Sequence, residues 1–546
     1  MGEFNLIDND WIPCFDTFGS VRDYSLRTVL HQARNISEMR DPSPIVSLSL
    51  HRLLLAILHR ALQGPRTLLE WERCFNNGWH EKTTAYLGDK DIYHRFFLLD
   101  DTRPFLQESK LELKPEYRQS VSDSKYCADS IPLSSIAREL SASRNPTLFD
   151  HTIDSPPVEF THAQAARLVV AAQFYAMPDG SGYVTSPVTY GQNVFVRGDN
   201  LFETLMYNLL IYNDRRPVPS DLKEDKPSWE RDDSRKEDSI PTGYLEYLTW
   251  PYRRLRLISD NSLTYVLRNK YAPGINKEWQ KDNPDPMLFY KMSEKSGYQP
   301  VRLLEERALW RDSFVLMGLV RDRYTHEPDF VNQLARLGSP EKVLQALGTC
   351  SSQNKIFFWR HESLPLPSCL LTEVEALEVV RRALQCANAV AKSLRVAVYF
   401  LVMQLMSPIS NTKEKEADIA SDFTERNDRN PKKKKDPIGD LYKSLKPERL
   451  YWQKLENPFS NFIQRIPEDK TLNKNHCVVY GCGCFPEWVN DVRVAAWDSF
   501  LVACDGIAES SEALKARARA EGRFNKNLNS ILKFYSESLE EGGDDV

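Results

Sequence analysis

The chain has no surplus of positive charge. Its 71 lysines and arginines are outweighed by 76 aspartates and glutamates, for a formal net charge of -5. A free-standing nucleic-acid binder usually carries a basic excess. Any contact with a polyanion therefore has to come from local patches, or be shared with more basic partners. Attraction beyond about 10 Å is screened at moderate salt, so patches matter more than the total. Long apolar runs are missing as well: residues 396–406 are interrupted and too short to span a bilayer. Residues 1–13 show no basic stretch followed by an apolar one, so no secretory leader is expected. The ten cysteines are scattered, and the expectation is free thiols in a reducing cytoplasm. There is no glycine-rich phosphate loop ending in Lys-Ser/Thr, no G-x-S-x-G elbow and no H-E-x-x-H pair.

What is present is globular. The 546 residues suggest three or four domain-sized units. Hydrophobic residues at 41% and charged residues at 27% leave ample material for a large core. Residues 4–13 read as a strand entering a turn. Residues 47–62 read as a helix, with Leu48, Leu54, Leu55, Leu58 and Leu62 at helical spacing and Gly64-Pro65 as its stop. A strand pair is expected over 96–106 around Asp100-Asp101-Thr102, then a long polar loop over 107–160. Thr161 is placed to cap a helix, 178–191 reads as a loop and 201–212 as a helix. Residues 220–240 are expected to be exposed, and 244–258 to be β.

The texture changes at Thr372. Thr372 and Glu375 have capping-box spacing. Ala376, Val379, Val380, Ala383, Leu384, Ala387, Val390, Ala391 and Leu394 form an amphipathic stripe. Further helices are expected over 440–445, 451–465, 487–507 and 511–532. The fold class is thus α+β: a large mixed α/β domain over 1–370, then an all-α four-helix bundle over 371–546. Residues 407–437 are its long loop, carrying Lys432, Lys433, Lys434 and Lys435.

Catalytic chemistry has few footholds. Asp150-His151 with His162 would suit a metal-dependent phosphohydrolase, but that needs further ligands around a hydrolytic water. A loop histidine beside a carboxylate is the preferred reading. His476-Cys477 with Cys482 and Cys484 offers four N/S ligands for zinc, at spacing unlike the usual pairs; a reduced, glycine-turned loop is preferred. His51 and His59 read as a packed pair. No metal and no cofactor are expected.

Several segments resemble the CasA family, the large subunit of the type I-E CRISPR Cascade complex. Phe4-Asn5-Leu6-Ile7-Asp8 with Trp11-Ile12-Pro13 is similar to its opening, and Arg103-Pro104-Phe105-Leu106-Gln107 to its R-P-F-x-Q stretch. Leu148 to His151, Val196 to Leu205, Pro227-Ser228-Trp229-Glu230, Leu248 to Arg254, Gln353 to Ile356 with Trp359-Arg360-His361, and Tyr451-Trp452 continue the likeness in family order. The resemblance implies a non-enzymatic, nucleic-acid-binding subunit. Its implied partners are other Cascade subunits, a CRISPR guide RNA, double-stranded target DNA and a helicase-nuclease, with no membrane.

The resemblance also implies sites. Phe149, Asp150 and His151 would lie at the guide RNA, where an exposed aromatic can stack on a base. Gly180, Ser181 and Gly182 would approach the minor groove of the protospacer-adjacent motif, a groove only about 6 Å wide. Gln353, between Ser352 and Asn354, would be the wedge that enters the duplex fork, where unstacking one step costs a few kcal/mol. Lys270 and Lys277 are the candidates for a motif-reading lysine. Arg253, Arg254 and Arg256, with Arg215-Arg216 and the lysines at 432–435, are candidate phosphate contacts. The competing readings are a buried phenylalanine, two ordinary turns and ion-paired surfaces. A scaffold that binds only proteins is the third alternative.

Overall fold

The computed structural model describes residues 3–113, 126–137, 157–179, 182–212, 221–232, 238–258, 262–270, 272–288, 290–293, 297–303, 308–312, 325–326, 329–338, 342–352, 355–406, 437–472 and 478–541. They divide into two compact units, Met1–Leu309 with Val315–Leu364, and Trp310–Phe314 with Pro365–Val546.

The first unit is built on helix Pro44–Leu62. Proline stands in its first turn, and Gln63 ends it in the left-handed region at φ 53°. The helix is buried on nearly every side, which explains a composition apolar enough to cross a bilayer. Its fully buried arginine, Arg52, is neutralised by Asp285, with Nη2–Oδ2 at 2.7 Å and Nη1–Oδ1 at 3.1 Å, while Nε donates to Leu248 O at 2.8 Å. Helix His162–Phe174 packs against it. Thr161 and Gln164 form a reciprocal capping box at its start.

Three sheets matter for the site. Strand Glu3–Asn5 pairs antiparallel with Phe97–Leu99. The expected strand pair over 96–106 does not form. Phe105 N returns to Phe97 O at 2.8 Å, but Pro104 has no donor and Leu106 turns away at φ 54°. The second sheet has the order Glu112–Leu113, Cys127–Pro132, Tyr265–Asn269, Arg254–Ile258. The region read as one long loop therefore contains the strand Cys127–Pro132, whose lack of apolar/polar alternation hid it. Residues 244–258 are β only in their second half. Tyr244–Leu248 is a buried helical turn, and Leu245 N donates to Asp225 Oδ1 at 2.9 Å. Within the segment expected to be exposed, Asp225 and Trp229 are buried. The third sheet runs Lys355–Leu366, Lys342–Ser352, Asn193–Arg197.

Three residues that carry the family likeness hold these elements together. Gln107 joins two sheets, donating to Leu98 O at 2.6 Å and accepting from Leu257 N at 2.7 Å. Glu230 pairs with Arg60 at 2.7 Å, and Trp250 donates to Pro273 O at 2.9 Å.

The second unit is a helical bundle of Val374–Met406, Pro447–Arg465, Cys484–Asp505 and Ser511–Glu541, with the short helix Pro437–Leu445 and a small hairpin, Lys470–Leu472 with Val478–Tyr480. Its core is aromatic and satisfied: Trp488 Nε1 donates to Ala383 O at 3.1 Å, and Tyr451 OH to Ala387 O at 3.0 Å. Trp310 belongs to this core, its ring centre 4.6 Å from that of Phe459. The second unit thus takes in Trp310–Phe314 from earlier in the chain besides Pro365–Val546. Thr372 does not cap the first bundle helix. Its hydroxyl donates to Ser368 O at 3.2 Å within the preceding turn, and Glu373 instead binds Lys470 and Tyr480.

Candidate nucleic-acid interface

Helix His162–Phe174 ends at Tyr175, and the chain enters the loop that contains Gly182. Two bonds close the neck: Ser186 N to Ala176 O at 3.0 Å, and Ser186 Oγ to Phe174 O at 2.9 Å. Between them the loop is clasped by Arg253. This side chain is buried, and its guanidinium donates to Met177 O on one flank, to Val184 O on the other and to Tyr252 O. The Arg253 backbone is itself fixed by Gln173, accepting at Oε1 from Arg253 N (2.9 Å) and donating at Nε2 to Arg253 O (3.0 Å). Arg268, on the neighbouring strand, forms an ion pair with Asp179. The Tyr183 ring lies 4.8 Å from the Arg268 guanidinium and 5.6 Å from that of Arg253.

This arrangement corrects one expectation. Arg253 is no phosphate contact: its donors are spent on carbonyls inside the protein, and its role is to set the loop. Arg254 is also off the open surface, 3.7 Å from Glu108 in the wall of a recess. Arg256 is partly exposed and bound, donating to Ser109 O at 2.8 Å.

Gly182 and Lys270, far apart in sequence, meet here. Gly182 takes φ +88°, and a Cβ added to it would stand 3.3 Å from Lys270 Cδ. The lysine stem thus lies along the glycine backbone, while Lys270 is itself exposed. Lys277 is exposed on the first turn of helix Lys277–Asp282, capped by Asn276 through a 2.8 Å bond from Trp279 N.

The third sheet reaches the same place. Thr349 Oγ1 is 3.2 Å from the hydroxyl of Tyr175, the residue that leads into the glycine loop. Burial pushes that phenol up to about 12, so it stays neutral. Ser352, three residues beyond Thr349, ends the strand roughly 10 Å further along it. Lys355 begins the next strand. The strand that ends just before residue 353 is thus rooted on the base of the glycine loop.

Gly180, Ser181, Gln353, Asn354, Phe149, Asp150, His151, Arg215, Arg216, the lysines at 432–435, His476 and Cys477 lie outside the described residues. Among the described residues no group of three or more His, Cys, Asp or Glu could hold a metal ion. His162 stacks on Phe4 at 5.3 Å. His51 and His59 are buried and bound at Nδ1, to Ser47 O at 2.8 Å and to Gly64 O at 3.0 Å; burial lowers the His59 pKa to about 4. The described cysteines are free thiols. Sequence reasoning missed Gln173 and Arg268, which only the fold brings to the loop, and Asp179 and Tyr183, which lie in the loop but whose arginine partners are remote in sequence.

The family described as CRISPR-associated protein Cse1 matches residues 5–499. A curated relative from Thermus thermophilus, CRISPR-associated protein CasA/Cse1, is 30% identical across 97% of this chain and 98% of its own length. The solved structure of Thermus thermophilus CasA (Cse1) is similar with a TM-score of 0.73 at 26% identity, covering 97% of this chain and all of that one (100%). A chain from a solved CRISPR RNA-guided surveillance complex has the same fold, with a TM-score of 0.67 at 17% identity over 95% of this chain and 99% of that one. On the family match over residues 5–499 and the 30% identity to a relative across 97% of the chain, the chain belongs to the CRISPR-associated Cse1 family.

Proposed function

We propose that the chain is the large subunit of a type I-E CRISPR surveillance complex that inspects double-stranded DNA for a short motif and starts its opening. The observation that carries this reading is the meeting of Gly182 and Lys270 beside a strand that leads to Gln353. A glycine backbone with a lysine stem lying along it makes a thin, singly charged edge. Such an edge suits the minor groove, which is about 6 Å wide and separates A·T from G·C poorly. Relaxed motif preference is the expected consequence. The uncharged amide of Gln353 enters the fork, where it bonds freed base edges and offsets part of an unstacking cost of a few kcal/mol. Sequence specificity is then left to pairing with the guide RNA, as in RNA-guided recognition generally.

The partners follow from this reading: guide RNA through the Phe149 loop, other subunits of the complex, and a helicase-nuclease that arrives after opening. The subunit itself performs no catalysis. The test is motif-dependent binding of target duplex by the reconstituted complex. Lys270→Ala weakens binding to motif-bearing duplex and narrows its advantage over motif-free duplex. Equal discrimination by wild type and variant would remove Lys270 from the reading.

A further inference from the structure

Two exposed histidines stand against each other on the first unit. His31 ends helix Leu26–His31, and His80 opens helix His80–Gly88. Their Nδ1 atoms are 2.7 Å apart, and their ring centres 4.1 Å apart at 67°. Neither ring has a carboxylate or carbonyl partner among the described residues. What holds the pair is the chain beneath it. Trp79, next to His80, is buried and donates from Nε1 to the carbonyl of Leu30, next to His31, at 2.9 Å. The Trp79 ring rests on Phe202, with 4.4 Å between centres. Both backbones are thus pinned one residue away from the imidazoles, and much of the entropy of bringing two ligands together is already lost on folding. At 2.7 Å one Nδ1 carries a proton and the other a lone pair. If that proton sits on Nε2 of its ring instead, as the other neutral tautomer has it, both Nδ1 lone pairs are open to one ion. A tetrahedral dication with Zn–N bonds of about 2.0–2.1 Å sets its nitrogens about 3.3 Å apart, so the rings need open by only about 0.6 Å. Imidazole donors without a carboxylate suit zinc, nickel and copper, and not magnesium or calcium.

We propose that His31 and His80 form an exposed, exchangeable two-imidazole site for a divalent transition metal of the zinc, nickel and copper class, with water in the remaining positions. Two protein ligands are fewer than the four of a structural zinc site or the three of a catalytic one, so the ion comes and goes. The inference draws on no residue of the glycine-loop site and is independent of the nucleic-acid reading. The test is isothermal titration of the full-length chain, first freed of metal with EDTA, with Zn²⁺ and separately with Ni²⁺. Wild type should bind one equivalent that His31→Ala and His80→Ala each weaken by about 100-fold, because losing an outer partner of a ligand already costs about 10–100-fold. Both side chains are exposed, so both variants are expected to fold. The controls are His94→Ala, another exposed histidine, and Cys482→Ser, an exposed thiol; each should keep that equivalent. Tighter binding of Zn²⁺ or of Ni²⁺ supports the site and ranks its metals. A merely structural contact between the rings would change the melting temperature of the variants and leave the titrations alike, which would overturn the proposal. Absence of binding by wild type, equal weakening by either control, or displacement of Zn²⁺ by millimolar Mg²⁺, which prefers oxygen ligands, would each overturn it as well.

Discussion

Replacing Arg253 by lysine tests whether the glycine loop is preset by the protein. The guanidinium holds Met177 O and Val184 O, one on each flank, together with Tyr252 O. A lysine keeps the charge but is a compact donor on a flexible stem, without the planar fork that reaches two carbonyls at once. At least one flank of the loop then loses its anchor and leaves a buried carbonyl unsatisfied. Each such loss costs about 1–3 kcal/mol, so Arg253→Lys should destabilise the first unit by about 2–4 kcal/mol. The loss is local: Gln173 still fixes the backbone at 253, and Arg268 still binds Asp179. Urea unfolding of the full chain measures the stability term. Motif-dependent duplex binding by the reconstituted complex measures the functional one, and it should fall more steeply than stability alone requires at a temperature where the variant is fully folded. If Arg253→Lys matches wild type in both, the clasp does not set the loop. Loss of stability with motif discrimination intact would show that the loop's conformation is irrelevant to recognition.

Other outcomes follow from the same structure. Gly182→Ala places a side chain at φ +88° and 3.3 Å from Lys270 Cδ, at a cost of about 1–2 kcal/mol of local strain; duplex binding by the complex should weaken while the melting temperature moves little. Asp285→Asn leaves Arg52 buried without its carboxylate and should cost about 3–5 kcal/mol in urea unfolding. Burial pushes the Asp225 carboxyl up to about 6, so the folded chain keeps a proton that the unfolded chain has already lost. Its contribution is therefore present below the ordinary carboxylate range and is lost as pH rises through about 6. Asp225→Asn should remove that part of the pH dependence, read as urea midpoints at about pH 4 and about pH 7.

The bundle was legible because its helices obey one periodicity, with apolar residues at helical spacing from Ala376 to Leu394 and nothing to break the pattern. The core helix was legible for the same reason. What escaped was set by tertiary contact. Tyr244 to Leu248 carries strand-forming aromatics, yet forms a helical turn because Asp225 accepts from Leu245 N and every side chain is buried. Cys127–Pro132 shows no period-two pattern, and the strand is stabilised by its pairing with Tyr265–Asn269, which no local signal reveals. The arginines at 253–256 looked like one exposed row. The fold gives Arg253 to the loop and Arg254 to a recess, because burial of a guanidinium depends on carbonyls that sit 69 and 76 residues away in sequence. Of the candidate site, Gly182 and Lys270 were named in advance from the resemblance. Of the partners that position them, Arg253 was named in another role, and Gln173 and Arg268 were not named.

The most direct measurement is the fluorescence of 2-aminopurine placed in the first base pair beside the motif, in a target duplex mixed with the guide-loaded complex. With wild type the signal rises as that pair unstacks. The account predicts that Gln353→Ala leaves motif binding in place and slows or abolishes the rise; an unchanged rise with the variant would contradict it.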